Sequence, residues 1–170
     1  QYTVSRTSNA SSEVLRKLGY QRLRDALRTG TTHLEAKSGY GLSTDSELML
    51  LQTMDELGQI NHLPSIDPTW MGAHDVPKGI SMDDYVESIL SDQLPAVVEQ
   101  GIARSADVFC EPGWFSIEHT EAILKASRSA GLSLRMHIDE FADGGGGGLA
   151  AELRVDTADH AAHTPMEVRL

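Results

Sequence analysis

The sequence predicts an α/β fold built on a parallel sheet, and three observations carry the prediction. Apolar positions at helical spacing alternate with short β-prone runs along the whole chain. Each intervening helix is long enough to be a crossover between parallel strands. Titratable side chains gather where each strand ends, which is where such sheets bind ligands.

The first helix covers residues 12–29. Ser11 or Ser12 can cap it, Leu15, Leu18, Leu23, Ala26 and Leu27 recur on one face, and Gly30 ends it. Residues 31–37 form the first strand and 38–42 a loop. Thr44 and Glu47 make a capping-box pattern for a helix over 44–57, which Gly58 stops. The second strand lies in 66–74, its start delayed by Pro68. Residues 82–100 are helical, with a kink or break at Pro95. The third strand is 107–111. Ser116 caps a helix that runs to Ala130 and ends at Gly131, and 132–138 is the fourth strand. A helix beginning inside the glycine run 144–148 carries Leu149 and Leu153, and 154–159 is the fifth strand. This order fits a doubly wound sheet and a barrel segment equally. The glycine run lacks the Lys-Ser/Thr of a phosphate loop, so it reads as a flexible turn or, alternatively, as a backbone cradle for an anion.

Composition narrows the class. The 170 residues include 14 basic and 25 acidic side chains, a net charge of −11, with 40% hydrophobic and 23% charged residues. This is the balance of a folded soluble domain. The acidic balance argues against nucleic acid and anionic membranes as partners, and no run reaches the roughly 18 apolar residues of a spanning helix. A single cysteine, Cys110, allows no internal disulfide, and residues 1–5 carry no apolar signal stretch, so a cytoplasmic setting is expected. A complete α/β barrel takes about 250 residues, more than are present.

The strand ends offer Glu35, Lys37 and Tyr40; His74 and Asp75; Cys110 and Glu111; His137, Asp139 and Glu140; and Asp159, His160 and His163. Histidines on three strands with carboxylates nearby suit a metal-dependent hydrolase. His137 alternates with Leu134, Met136 and Ile138, so it shares a polar face with Ser133, Arg135 and Asp139. That pattern leaves open both a metal ligand and a buried histidine satisfied by a carbonyl. The same two readings stand for His74, where Gly72 and Ala73 leave room for a ligand. His62, in a loop, and His119, on a helix, read as solvated, and His33 begins a strand, far from its carboxyl end. Cys110 reads as packing, and Glu35 and Lys37 share one strand face, either paired or pointing into a site.

Several ordered motifs resemble the imidazolonepropionases of the metal-dependent amidohydrolase superfamily. They are Glu35-Ala36-Lys37-Ser38-Gly39-Tyr40-Gly41-Leu42 with Thr44-Asp45-Ser46-Glu47-Leu48; Met71-Gly72-Ala73-His74-Asp75-Val76-Pro77; Asp107-Val108-Phe109-Cys110-Glu111; and Thr157-Ala158-Asp159-His160. The match is collinear over essentially the whole chain. It implies strands two to six of a (β/α)8 TIM-type barrel, with the N-terminal and C-terminal parts of the family domain absent. It also implies hydrolysis of 4-imidazolone-5-propanoate to N-formimino-L-glutamate in histidine degradation, with one divalent metal ion, zinc or iron, and a possible homodimer. By motif position His137 resembles the metal ligand. Glu140 resembles the acid that contacts substrate and orients the attacking water. His160 resembles the histidine near that water, His74 the one contacting the ring carbonyl, and Tyr40 the substrate-facing tyrosine. No His-x-His pair occurs, the expected upstream arginine is missing, and Ala161-Ala162 stands where the family usually has Leu-Glu. The resemblance therefore implies a fragment inactive alone. A deaminase of the same superfamily and a non-catalytic half-barrel are the alternative readings.

Overall fold

The computed structural model describes residues 2–169. Five strands, β1 (His33–Lys37), β2 (Ser65–Ala73), β3 (Ser105–Cys110), β4 (Ser133–Ile138) and β5 (Thr157–His160), pair in sequence order and all in parallel. Helices α1 (Tyr2–Ser8) and α2 (Ser12–Arg28) precede β1, and α3 (Thr44–Gly58) crosses to β2. A split helix, α4 (Met82–Ser88) and α5 (Leu94–Gln100), joins β2 to β3. Then α6 (Ile117–Ser129) leads to β4, α7 (Gly146–Leu153) to β5, and α8 (Met166–Arg169) follows. Sequential order decides between the two architectures left open by the alternation, because a doubly wound sheet reverses its strand order and a barrel does not.

The sheet is curled into a half-barrel. In a flat sheet β1 and β5, four spacings of about 4.8 Å apart, would be separated by about 19 Å. Here Lys37 of β1 reaches Asp159 of β5 at 3.2 Å, and Arg135 of β4 reaches Asp67 of β2 at 2.9 Å and Glu35 of β1 at 3.1 Å. Charged side chains thus fill the concave face. The convex face is apolar: Trp70, Ala106, Val108, Leu134, Met136 and Ile138 pack under Leu51, Ile89, Val97, Ile123 and Leu124 of the helices.

Local chemistry explains most boundaries and several departures from the sequence reading. Ser11 caps α2 and Ser116 caps α6, each accepting a backbone N–H three residues on. The capping box at Thr44 and Glu47 does not form. Ser43 caps α3 instead, through the Ser46 N–H, and Glu47 is recruited elsewhere. Strand β2 begins at Ser65, before Pro68, rather than after it. The N–H groups of Ser65 and Met71 face β1, so the missing N–H of Pro68 falls on the β3 side, one residue before β3 joins the ladder. The break in the long helix is a π-helical turn, Ile89–Gln93, and Pro95 sits in the first turn of α5 beyond it. Strand β5 starts at Thr157 rather than at 154, because Arg154 takes a left-handed φ of 48° that closes α7. The strand predicted to end at Glu111 ends at Cys110.

Candidate active site

Curling brings the carboxyl ends of all five strands to one mouth, where a cavity of about 440 Å³ opens. Its lining includes Tyr40, His74, His137, Glu140 and His160, together with Phe109, Trp114 and Phe141. All five residues singled out by the sequence and its resemblance therefore meet in one place. His137 and His74 stand edge to face at 4.8 Å between ring centroids, and His160 lies 5.3 Å from His137. His160 Nε2 faces Glu140 Oε2 at 3.5 Å.

Backbone irregularity aims these side chains. Between Trp70 and Ala73, β2 carries one more residue than β3, a bulge that re-aims His74. Gly72 is required there, since a Cβ would lie 2.7 Å from Trp70 Nε1 and 2.8 Å from Gln93 Oε1. Tyr40, Asp139 and His160 all have positive φ, at 61°, 46° and 66°. Each such non-glycine residue costs of order 1–3 kcal/mol, a strain that concentrates at functional sites.

Below the cavity lies a residue that the sequence reading passed over. Asp107, on β3, is buried and accepts a hydrogen bond from His137 Nδ1 at 3.0 Å through Oδ1. The same oxygen faces His74 Nε2 at 3.4 Å, while Oδ2 accepts from Lys37 Nζ at 2.6 Å. Burial opposes ionisation of Asp107, but the two imidazoles beside it outweigh that and hold its carboxyl well below the usual range. Burial likewise opposes the charge on Lys37, yet Asp107, Glu35 and Asp159 raise its pKa above the ordinary value. For His74 burial wins, and its pKa is lowered. Asp107 was legible in one respect: it shares a strand face with Phe109, between Ala106 and Val108, which points an acid into the barrel.

His74, Asp107 and His137 each offer a ligand atom within 4.8 Å of the others, and the buried His74 Nε2, 3.4 Å from Asp107 Oδ1, makes no hydrogen bond among the described residues. Two imidazoles and a carboxylate are the donor set of a divalent transition metal. The residues present fit such an ion.

Not every strand-end acid joins the cavity. Glu111 accepts the N–H groups of Glu140, Phe141 and Ala142. Asp139 turns away under the glycine run and accepts from Gly144, Gly146, Gly147 and Thr164. The run is thus a cradle for an anion of the protein's own. Glu47 accepts from Gly39, Gly41 and Leu42, either side of Tyr40. Glu35 and Lys37 pair within the half-barrel at 3.6 Å. Cys110 is packed, and burial raises its thiol pKa. His33 pairs with Ser65, His62 with Tyr20 and His119 with Asp83, all outside the cavity. His163 is exposed beyond β5.

Sequence comparison agrees with the motifs. A protein named imidazolonepropionase from Desulfotalea psychrophila is 45% identical over 160 residues, covering 93% of this chain and 38% of the relative. Those of Haloarcula marismortui and Alkaliphilus metalliredigens are each 42% identical, over 165 and 167 residues, covering 97% of this chain and 39% of theirs. This chain is a relative of the imidazolonepropionases. It spans about 39% of the length of these curated relatives. No family model matches it. Among solved structures, Arabidopsis ADAL complexed with GMP superposes with a TM-score of 0.66 at 9% identity, over 99% of this chain and 56% of that one. That likeness supports the partial TIM-type barrel of this imidazolonepropionase relative.

Proposed function

We propose that this chain is the strand-two to strand-six part of an imidazolonepropionase barrel, and that its cavity serves hydrolysis of the cyclic amide bond of 4-imidazolone-5-propanoate to N-formimino-L-glutamate. The observation that carries the reading is the convergence of Tyr40, His74, His137, Glu140 and His160 on one cavity. His137 would hold one divalent ion, zinc or iron, with Asp107 bonded to Nδ1 to fix its ring. Such an ion supplies Lewis acidity and lowers the pKa of water in the site.

The chain's own residues do the rest. Glu140, 3.5 Å from His160, takes the proton of the attacking water and hands it on to the departing ring nitrogen. His160 orients that water from the other side. His74, in the cavity lining, contacts the ring carbonyl as negative charge develops there. Tyr40 contributes a bond to the substrate. Phe109, Trp114 and Phe141 exclude water from the flat ring.

The test is turnover of imidazolonepropanoate, followed by loss of ring absorbance, in this chain and in one extended to the relatives' length. We expect turnover and bound metal in the extended chain only. There Glu140→Gln should lower kcat by about 10²–10⁴-fold. Ammonia release from aminopurines in place of ring opening would favour a deaminase and overturn the reading.

A further inference from the structure

Glu111 is a buried acid with no part in the chemistry above, yet it touches both loops that form one side of the cavity. The residue is 3% exposed, and its carboxylate accepts three consecutive backbone N–H groups, from Glu140 at 2.9 Å, Phe141 at 3.0 Å and Ala142 at 2.9 Å. Its own carbonyl accepts the Trp114 N–H at 2.9 Å, closing a turn through Pro112 and Gly113, with Gly113 at φ 93°. The side chain therefore fixes the loop after β4, and the main chain fixes the loop after β3. Those loops supply Phe141 and Trp114, whose rings meet at 6.1 Å, and Glu140, which faces His160. A buried carboxylate is costly unless charge-assisted bonds offset its desolvation, and three converging N–H donors do so only while the loop keeps this shape.

We propose that Glu111 is the positioning residue of the cavity rim, holding Glu140, Phe141 and Trp114 in one arrangement. Its consequence for turnover rests on the function proposed above, but the arrangement itself does not. Two variants, Glu111→Ala and Glu111→Gln, test it beside Ile123→Val, a change in the buried core made away from the rim. Amide exchange and acrylamide quenching are the readouts, since Trp114 is half-exposed while the other tryptophan, Trp70, is buried. In Glu111→Ala the amides of Glu140, Phe141 and Ala142 should exchange about tenfold faster relative to those of β4. Trp114 quenching should rise, and Glu111→Gln should restore part of both. Ile123→Val should change neither. In a chain that turns over imidazolonepropanoate, Glu111→Ala should lower kcat about tenfold with KM nearly unchanged. Unchanged rim exchange and quenching, an equal change in Ile123→Val, or an unchanged kcat beside a loosened rim would overturn the proposal. Absence of turnover in the chain extended to the relatives' length would instead count against the proposed function, and exchange and quenching would still decide this one.

Discussion

Asp107 is the residue on which the site's electrostatics turn. One carboxylate oxygen faces His74 and His137, and the other meets Lys37 at 2.6 Å. Removing one member of a buried ion pair leaves an uncompensated charge and costs about 3–5 kcal/mol. Asp107→Asn should fall at the low end, about 3 kcal/mol, because Glu35 and Asp159 still flank Lys37. Lys37→Met alone should also destabilise, since it gathers three acids without their cation. The double variant should cost less than the sum of the two. Urea unfolding of the four proteins measures that coupling. Additivity within about 0.5 kcal/mol would mean that Lys37 and Asp107 act independently. The sequence showed the histidines and Glu140 because they end strands, but it hid Asp107, whose partners are 70 and 30 residues away.

At the scale of elements, buried polar groups tie each loop or helix to the sheet. Tyr85 of α4 donates its hydroxyl to the Gly72 carbonyl, next to the bulge that aims His74. Burial pushes its phenol pKa well above the ordinary value, and the charges of Glu47 and Asp75 add to that. An unfolded phenol ionises near about pH 10, while the folded one keeps its proton. The unfolded state is then favoured as pH rises past 10, and stability falls by up to about 1.4 kcal/mol per pH unit. Tyr85→Phe should lose about 1 kcal/mol at neutral pH and should lack this part of the alkaline decline, as read from melting between pH 8 and about 11. Asp139 behaves oppositely. Burial opposes its charge, but Thr164 and the glycine N–H groups outweigh it and depress its pKa. Its contribution is present above the ordinary carboxyl pKa and disappears as pH falls through the depressed one. The stability gap between the parent chain and Asp139→Asn should therefore be of order 2 kcal/mol at pH 7 and shrink on acidification, which melting at stepped pH would reveal. The caps at Ser11 and Ser116 were legible because the signal is local. Glu47 was misread for the same reason: its pattern was local, but its three partners lie in the preceding loop.

For the whole molecule, alternation of helix and strand gave a parallel sheet but could not give its curvature. Curvature comes from contacts such as Lys37–Asp159, between residues 122 apart in sequence, which only the folded chain brings together. The family motifs supplied the barrel where periodicity left two architectures open. A half-barrel leaves β1 and β5 without an outer neighbour among the described residues. Unpaired strand edges recruit other strands, and here the residues of β1 are only partly buried. On the outer side of β1, an apolar cavity of about 350 Å³ between α2 and α3 adds exposed hydrocarbon, with Leu18 and Leu34 among its lining. The net charge of −11 opposes contact between copies and is screened by salt. These two effects predict self-association that strengthens with salt, the reverse of what charge-driven pairing would give. Sedimentation velocity at stepped protein concentration, at about 0.02 M and 0.5 M ionic strength, separates the two cases. A chain extended to the relatives' length should lose this association if the added strands pair with β1 and β5. A 170-residue chain that stays monomeric at every salt and concentration would show that its edges are already protected.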